Sequence, residues 1–262
     1  MKTKLVILDW AGTTVDYGSF APVNAFSIAF GKFWMTPTVD EIRAPMGKLK
    51  RDHIRTMLEM PRVREQWENV QGGVPDQDAV EKIYSVFEAS LLESLEQYAC
   101  PKPGVTKAAA QLRNMGISIG STTGYTDKMM AVVVPKAAEQ GYAPDYWVSP
   151  DSVQGMGRPY PYMIFNNMAH FGIPSVENVI KVGDTVADVQ EGKAAGVCSL
   201  GILEGSSVMG FTQEEYEALS REEKEAAKEK AREIFMNAGA DDVLDSLSQL
   251  PLWIEGSEEN EG

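Results

Sequence analysis

The stretch that most constrains this chain is its first fourteen residues. Leu5-Val6-Ile7-Leu8 is an apolar run without polar alternation, closed by Asp9 and followed by Trp10-Ala11-Gly12-Thr13-Thr14. Such a run reads as a strand buried on both faces, the pattern of a parallel sheet with helices on either side. A carboxylate that ends it stands at the carboxyl edge of the sheet, where open α/β folds bind ligands. On its own an aspartate there serves equally well as a turn or helix-cap residue, so its meaning depends on what arrives beside it.

The rest of the chain supplies the sheet. After Pro101-Lys102-Pro103-Gly104 the pattern alternates. A helix running through 115, a strand at 117–120, a helix after Thr126, a strand at 146–148 and a helix after Pro159 are followed by a strand at 179–183, a helix at 186–195 and a last strand at 198–202. Alternation of this kind predicts the α/β class, with a parallel sheet and right-handed crossovers. Between the first strand and this block, residues 20–98 carry almost no strand signal and read as helices at 23–33, 49–60 and 76–98 separated by Pro and Gly. The expected organisation is a discontinuous α/β core, 1–19 and 99–262, interrupted by a helical insert, 20–98. Residues 212–236 read as a solvated helical hairpin, with helices at 214–219 and 222–233. Residues 241–250, with Val243, Leu244, Leu247 and Leu250 at helical spacing before Pro251, read as a closing helix, and 255–262 as a frayed tail.

Charge and cysteine content narrow the partners. A net charge of −14 over 262 residues makes nucleic acid an unsuitable partner, because binding its backbone depends on clustered Lys and Arg. Cys100 and Cys198 have no paired spacing, which argues against a disulfide framework or a thiolate metal site and for a reducing, cytoplasmic setting. The opening apolar run is too short for a signal peptide or a membrane span. An anionic ligand therefore has to be met by a local positive site.

Four polar clusters fall at predicted strand ends. The first is Asp9-Trp10-Ala11-Gly12-Thr13. The second is Ser121-Thr122-Thr123-Gly124, whose hydroxyls and N–H groups at a helix start suit phosphate oxygens or plain capping. Gly157-Arg158-Pro159 is the third and points a forked cation at the same edge. The fourth is Gly183-Asp184-Thr185-Val186-Ala187-Asp188, two carboxylates four apart on one face of a starting helix, an oxygen set suited to magnesium.

Taken together and in this order, the clusters resemble the haloacid dehalogenase superfamily: a Rossmann-like, three-layer α/β/α core with an inserted cap domain. That resemblance implies a nucleophilic Asp9 and Mg²⁺ held by Asp9, the Ala11 carbonyl, Asp184 and Asp188, the last directly or through water. Ala11 occupies the place where the superfamily's phosphatases carry a second aspartate that protonates the leaving oxygen.

The insert contains Met46-Gly47-Lys48-Leu49-Lys50-Arg51-Asp52-His53. With Asp9 to Asp16 and Ser121 to Thr126, this segment is similar to the phosphonoacetaldehyde hydrolases, or phosphonatases, in which a lysine after Met-Gly and before a His forms an imine with the substrate. The spacing of that family makes Lys50 the imine lysine, Lys48 the alternate and His53 a proton shuttle or packed neighbour. Thr122, Thr123, Tyr125, Arg158 and Met46 would contact substrate, with Gly12 and Gly47 giving it backbone access. The chemistry is coherent, since cleaving a phosphorus–carbon bond expels a carbanion, an iminium absorbs that electron pair as an enamine, and no leaving oxygen needs an acid at position 11.

The resemblance further implies a homodimer through the cap domain and a small phosphonate as the partner. Trp34 and Met35 read as buried in the insert or as dimer contacts. Ser19 stands where relatives often have cysteine, and His170 reads as structural. A phosphate-ester phosphatase or phosphomutase on the same core is the alternative activity, and a metal-binding module without activity is the alternative class.

Overall fold

The computed structural model describes residues 2–260. Six strands form one sheet: β1 (Leu5–Leu8), β2 (Ser118–Thr122), β3 (Tyr146–Val148), β4 (Val179–Gly183), β5 (Cys198–Ile202) and β6 (Asp242–Leu244). Their order is β3-β2-β1-β4-β5-β6, and every pairing is parallel. The chain leaves β1 toward β2 and β3, then returns to place β4 on β1's other side. The order reverses beside β1, and a crevice forms where order reverses at the carboxyl ends of strands. Leu8 lies in register with Ser121 on one side and Val182 on the other, so Asp9 emerges between the ends of β2 and β4.

Five helices lie between β1 and Pro101: α1 (Phe20–Gly31), α2 (Val39–Arg43), α3 (Lys50–Glu59), α4 (Pro61–Gln71) and α5 (Gln77–Ser94). Then follow α6 (Val105–Asn114), α7 (Asp127–Glu139), α8 (Tyr162–Phe171), α9 (Val186–Ala195), α10 (Gln213–Ala218), α11 (Arg221–Asn237) and α12 (Leu250–Asn260). Because side chains alternate across a strand, Leu5 and Ile7 pack with Ile164 and Met168 of α8, while Val6 and Leu8 face the opposite layer. The second face merges with the insert: one apolar cluster runs from Val6 and Leu8 through Trp10 to Phe26, Ile54 and Phe87. At the insert's centre Phe26 stacks on Phe87 at 4.1 Å and on His53 at 4.0 Å.

The structure departs from the sequence reading in several places, the short helix α2 among them. Helix α4 went unread because Pro61, taken as a break, occupies its first position, where the missing N–H costs nothing, and only Val63 and Trp67 are buried along it. The predicted closing helix at 241–250 is instead strand β6, a 3₁₀ turn at Leu247–Gln249 and the start of α12. Val243 and Leu244 are adjacent, so their spacing fits an edge strand beside β5 as well as a helix face, and Pro251 belongs to the first turn of α12 rather than marking a stop. The tail predicted to fray is helical through residue 260, and residues 261–262 lie outside the described residues. Of the two residues weighed as contacts, Met35 is buried and Trp34 is 82% exposed.

Phe26 joins both aromatic stacks, so Phe26→Ala should destabilise the protein by about 3–5 kcal/mol through the cavity left behind. A denaturant titration followed by circular dichroism measures this.

Candidate active site

The Asp9 carboxylate is buried at the end of β1, and the loop after it turns back so tightly that the Thr14 hydroxyl donates to the Asp9 carbonyl at 2.9 Å. Gly12 makes that turn with φ of +86°, and a Cβ there would fall 2.0 Å from Oδ2 of Asp184. Only glycine lets the loop and the end of β4 meet. Asp184 is oriented by the Ser207 N–H, which donates to Oδ2 at 2.8 Å, and by the Thr13 hydroxyl, which donates to Oδ1 at 3.3 Å. One turn on, Thr185 and Asp188 form the capping box that starts α9.

Arg158, in the loop before α8, ties these ends together. Its Nη2 donates to Asp9 Oδ1 at 2.5 Å and to the carbonyl and hydroxyl of Thr122 at 3.0 Å, and it lies 3.0 Å from Asp188 Oδ1. Its Nε donates to Glu191 Oε2 at 3.0 Å. Two residues that the sequence did not single out complete this network. Lys181 of β4 lies 2.7 Å from Asp188 Oδ1, and Glu191 of α9 also accepts the Thr122 hydroxyl at 2.9 Å. A lysine inside the apolar run Val179-Ile180-Lys181-Val182 was the available signal, since a charge in a doubly covered strand requires a buried partner.

Asp9, Asp184 and Asp188 offer oxygens that all lie within 4.8 Å of one another. Burial, then the charges of Asp9 and Asp188, push Asp184 well above the usual carboxylate range. Asp9 is raised as well, chiefly by burial, against the pull of Arg158. Burial acts the same way on Asp188, yet Arg158 and Lys181 outweigh it and hold that carboxyl down. A hard divalent cation among these groups would turn mutual repulsion into attraction, so the donor set fits a divalent metal ion. Both Asp188 oxygens already face protein donors, Lys181 and Arg158 on Oδ1 and the Thr185 hydroxyl, 2.5 Å away, on Oδ2.

The insert closes over this edge. Asp9, Ala11, Ser19, Thr123, Gly124, Tyr125, Arg158 and Thr185 line a cavity with Pro22, Met46, Gly47 and Lys50 of the insert. Gly47 presses so closely on α9 that a Cβ would fall 2.4 Å from the Thr185 hydroxyl oxygen. The cavity measures about 20 Å³, room for little more than one water molecule. Lys50 is 6% exposed, with Nζ 5.2 Å from the centre of the Tyr125 ring. Burial draws its pKa down to about 8, with Asp9 opposing and Arg158 assisting.

Several predicted site residues stand behind the cavity. The Lys48 ammonium turns away to the Thr56 hydroxyl at 3.3 Å. His53, one turn after Lys50 on α3, is buried with Nε2 2.8 Å from the Ile42 carbonyl, which makes that nitrogen the donor. Burial, then the nearby Lys50 charge, holds its imidazole neutral. Thr122, Asp188 and Gly12 support the lining without joining it. His170 lies elsewhere, stacked on Tyr146 at 3.7 Å.

A parallel α/β sheet with an aspartate at the end of its first strand, and further acids at the end of the strand beside it, defines a class of hydrolase. The model of the haloacid dehalogenase-like hydrolases matches residues 3–196. A phosphonoacetaldehyde hydrolase of Lysinibacillus sphaericus is 50% identical over 254 residues, covering 97% of this chain and 94% of that one. The phosphonoacetaldehyde hydrolase of Bacillus cytotoxicus is 44% identical over 261 residues, covering 100% and 98%. Among solved structures, a phosphonoacetaldehyde hydrolase-like protein from Oleispira antarctica superposes with a TM-score of 0.95 at 33% identity, covering 99% of this chain and 94% of that one. The chain belongs to the haloacid dehalogenase-like hydrolases and, within them, to the phosphonoacetaldehyde hydrolase family.

Lys181→Met removes one of the two cations facing Asp188, and leaving that carboxylate underpaired should cost about 3–5 kcal/mol. Chemical denaturation of the variant beside wild type checks it.

Proposed function

We propose that this enzyme hydrolyses the phosphorus–carbon bond of phosphonoacetaldehyde to acetaldehyde and phosphate, with residues 20–98 acting as a cap domain over the site. The observation that carries the reading is that Lys50 from the insert and Asp9 from the sheet edge line one narrow pocket, with alanine at position 11. The names of the relatives support the same substrate.

The Lys50 amine condenses with the aldehyde and releases water, giving an iminium ion. Asp9 then attacks phosphorus while Arg158 and the Thr123 hydroxyl hold phosphonyl oxygens. The electrons of the broken phosphorus–carbon bond move into the iminium, so the leaving group is an enamine rather than a free carbanion. Its terminal carbon takes a proton, the resulting imine is hydrolysed, and Lys50 is restored with release of acetaldehyde. Water cleaves the aspartyl-phosphate and frees Asp9. A magnesium ion bound by Asp9, the Ala11 carbonyl and Asp184, with Asp188 through water, would supply positive charge to the transferring group. Met46 and Tyr125 wall the aldehyde end, and Tyr125 keeps its proton because burial raises its pKa far above the ordinary phenol. Neutral His53, on the same helix as Lys50, stacks on Phe26 and anchors that helix in the insert's core. Among the described residues no helix is long and apolar enough to cross a membrane. A cytoplasmic enzyme, paired through the insert around exposed Trp34, completes the reading.

Borohydride added during turnover should trap a reduced adduct on Lys50, located by peptide mass spectrometry, and Lys50→Arg should lose at least about a thousandfold in kcat/KM. An unmodified Lys50 in a turning-over enzyme would sink the imine. Lys50 is mostly protonated below a pKa of about 8, so kcat/KM should rise with pH through that value as the free amine forms, with the limb read from a pH–rate profile.

A further inference from the structure

Asp9 and Lys50 are both buried, and the pocket between them, about 20 Å³, leaves little room for a phosphonate to reach them. The insert must therefore swing away and return, and something must hold it shut between visits. The apolar contact between insert and core is broad but unspecific in direction. The one cation from the insert that, among the described residues, reaches across to several core carbonyls is Arg43, the last residue of α2.

Its Nη1 donates to the Gly18 carbonyl at 2.7 Å and to the carbonyl and hydroxyl of Ser207 at 3.2 and 3.4 Å, and Nη2 donates to the Gly210 carbonyl at 3.4 Å. The guanidinium carbon lies 4.9 Å from the centre of the Phe20 ring. These partners are two kinds of core segment. Gly18 sits in the connection from β1 into the insert, where Asp16, Gly18 and Ser19 all have positive φ, and its N–H donates to the Gly205 carbonyl at 2.8 Å. Ser207 and Gly210 belong to the loop after β5, and it is the Ser207 N–H that holds Asp184. In the other direction, Arg43 leads along the chain into Met46, Gly47 and Lys50, residues that the insert contributes to the cavity. A Cβ on Gly210 would come within 3.1 Å of Arg43 Nε, so the loop is shaped to receive this side chain.

We propose that Arg43 is the closure latch of the insert, a positioning residue that fastens the lysine-bearing segment to the loop that orients Asp184. It touches neither the cavity nor a reacting atom. The latch rests on the reading of Lys50 and Asp9 as two halves of one site. A guanidinium suits this work because its planar fork presents five donors in fixed directions, where an ammonium offers a point charge on a flexible stem.

The discriminating measurement is the accessibility of Lys50. Wild type, Arg43→Met, Arg43→Lys and a control on an exposed insert arginine, Arg64→Met, are treated with acetic anhydride, and Lys50 acetylation is followed by mass spectrometry. Losing charge-assisted hydrogen bonds that exist only in the closed form should raise the Lys50 acetylation rate of Arg43→Met about tenfold. KM should rise in step and kcat fall by less, because bound substrate helps to draw the insert shut. Arg43→Lys should lie between, and Arg64→Met should match wild type. Wild-type acetylation in both Arg43 variants would overturn the latch, and if Arg43→Met does not fold, Arg43→Lys decides alone. The labelling needs no substrate, so it judges the latch even if Lys50→Arg proved fully active, the result that would instead overturn the imine.

Discussion

Arg158 places a buried guanidinium among Asp9, Asp188 and Glu191, and the geometry of the sheet edge depends on it. Three carboxylates so close in a dry environment would not all stay ionised without it. With it, β1, β2, the loop before α8 and α9 share one electrostatic knot. Lys181 makes the arrangement stable by taking part of Asp188, which leaves Arg158 free to face Asp9. The knot also sets the two acids near β4 apart in character. Asp188 is drawn down and held by protein donors, while Asp184 is pushed up and keeps the stronger need for a cation.

The insert meets this edge by two different means. Its apolar residues continue the sheet's own core, from Trp10 to Phe26 and Phe87, and that contact gives energy without direction. Direction comes from close backbone approach at Gly47 and from the fork of Arg43. Lys50 owes its lowered pKa to the same closure, because exposing it would restore the hydration that burial removes.

Much of this was legible in the chain. Strands β4 and β5 and helix α9 fall where hydrophobic run and punctuation put them, because covered central strands leave a strong signal, and the short edge strand β3 was read from its Tyr146-Trp147-Val148 run. Asp9 follows β1, Thr123 follows β2 and Asp184 follows β4, while Arg158 lies in the loop before α8. Spacing from a family motif pointed to Lys50 over Lys48, and of the two it is Lys50 that lines the cavity. Less legible was β6, three residues long at a sheet edge, where two adjacent apolar side chains fit either period. Lys181, Glu191 and Arg43 were missed for another reason: their partners are distant in sequence, and only the fold brings them together.

The volume of the narrow pocket has a consequence for solvent. Hydrolysis in bulk water depends on how often any one of a vast excess of molecules finds the right approach. Between the insert and the sheet edge the space narrows to about 20 Å³. Any acyl phosphate on Asp9 then meets water only along a narrow approach, and its lifetime depends on which side chains orient the molecules that enter.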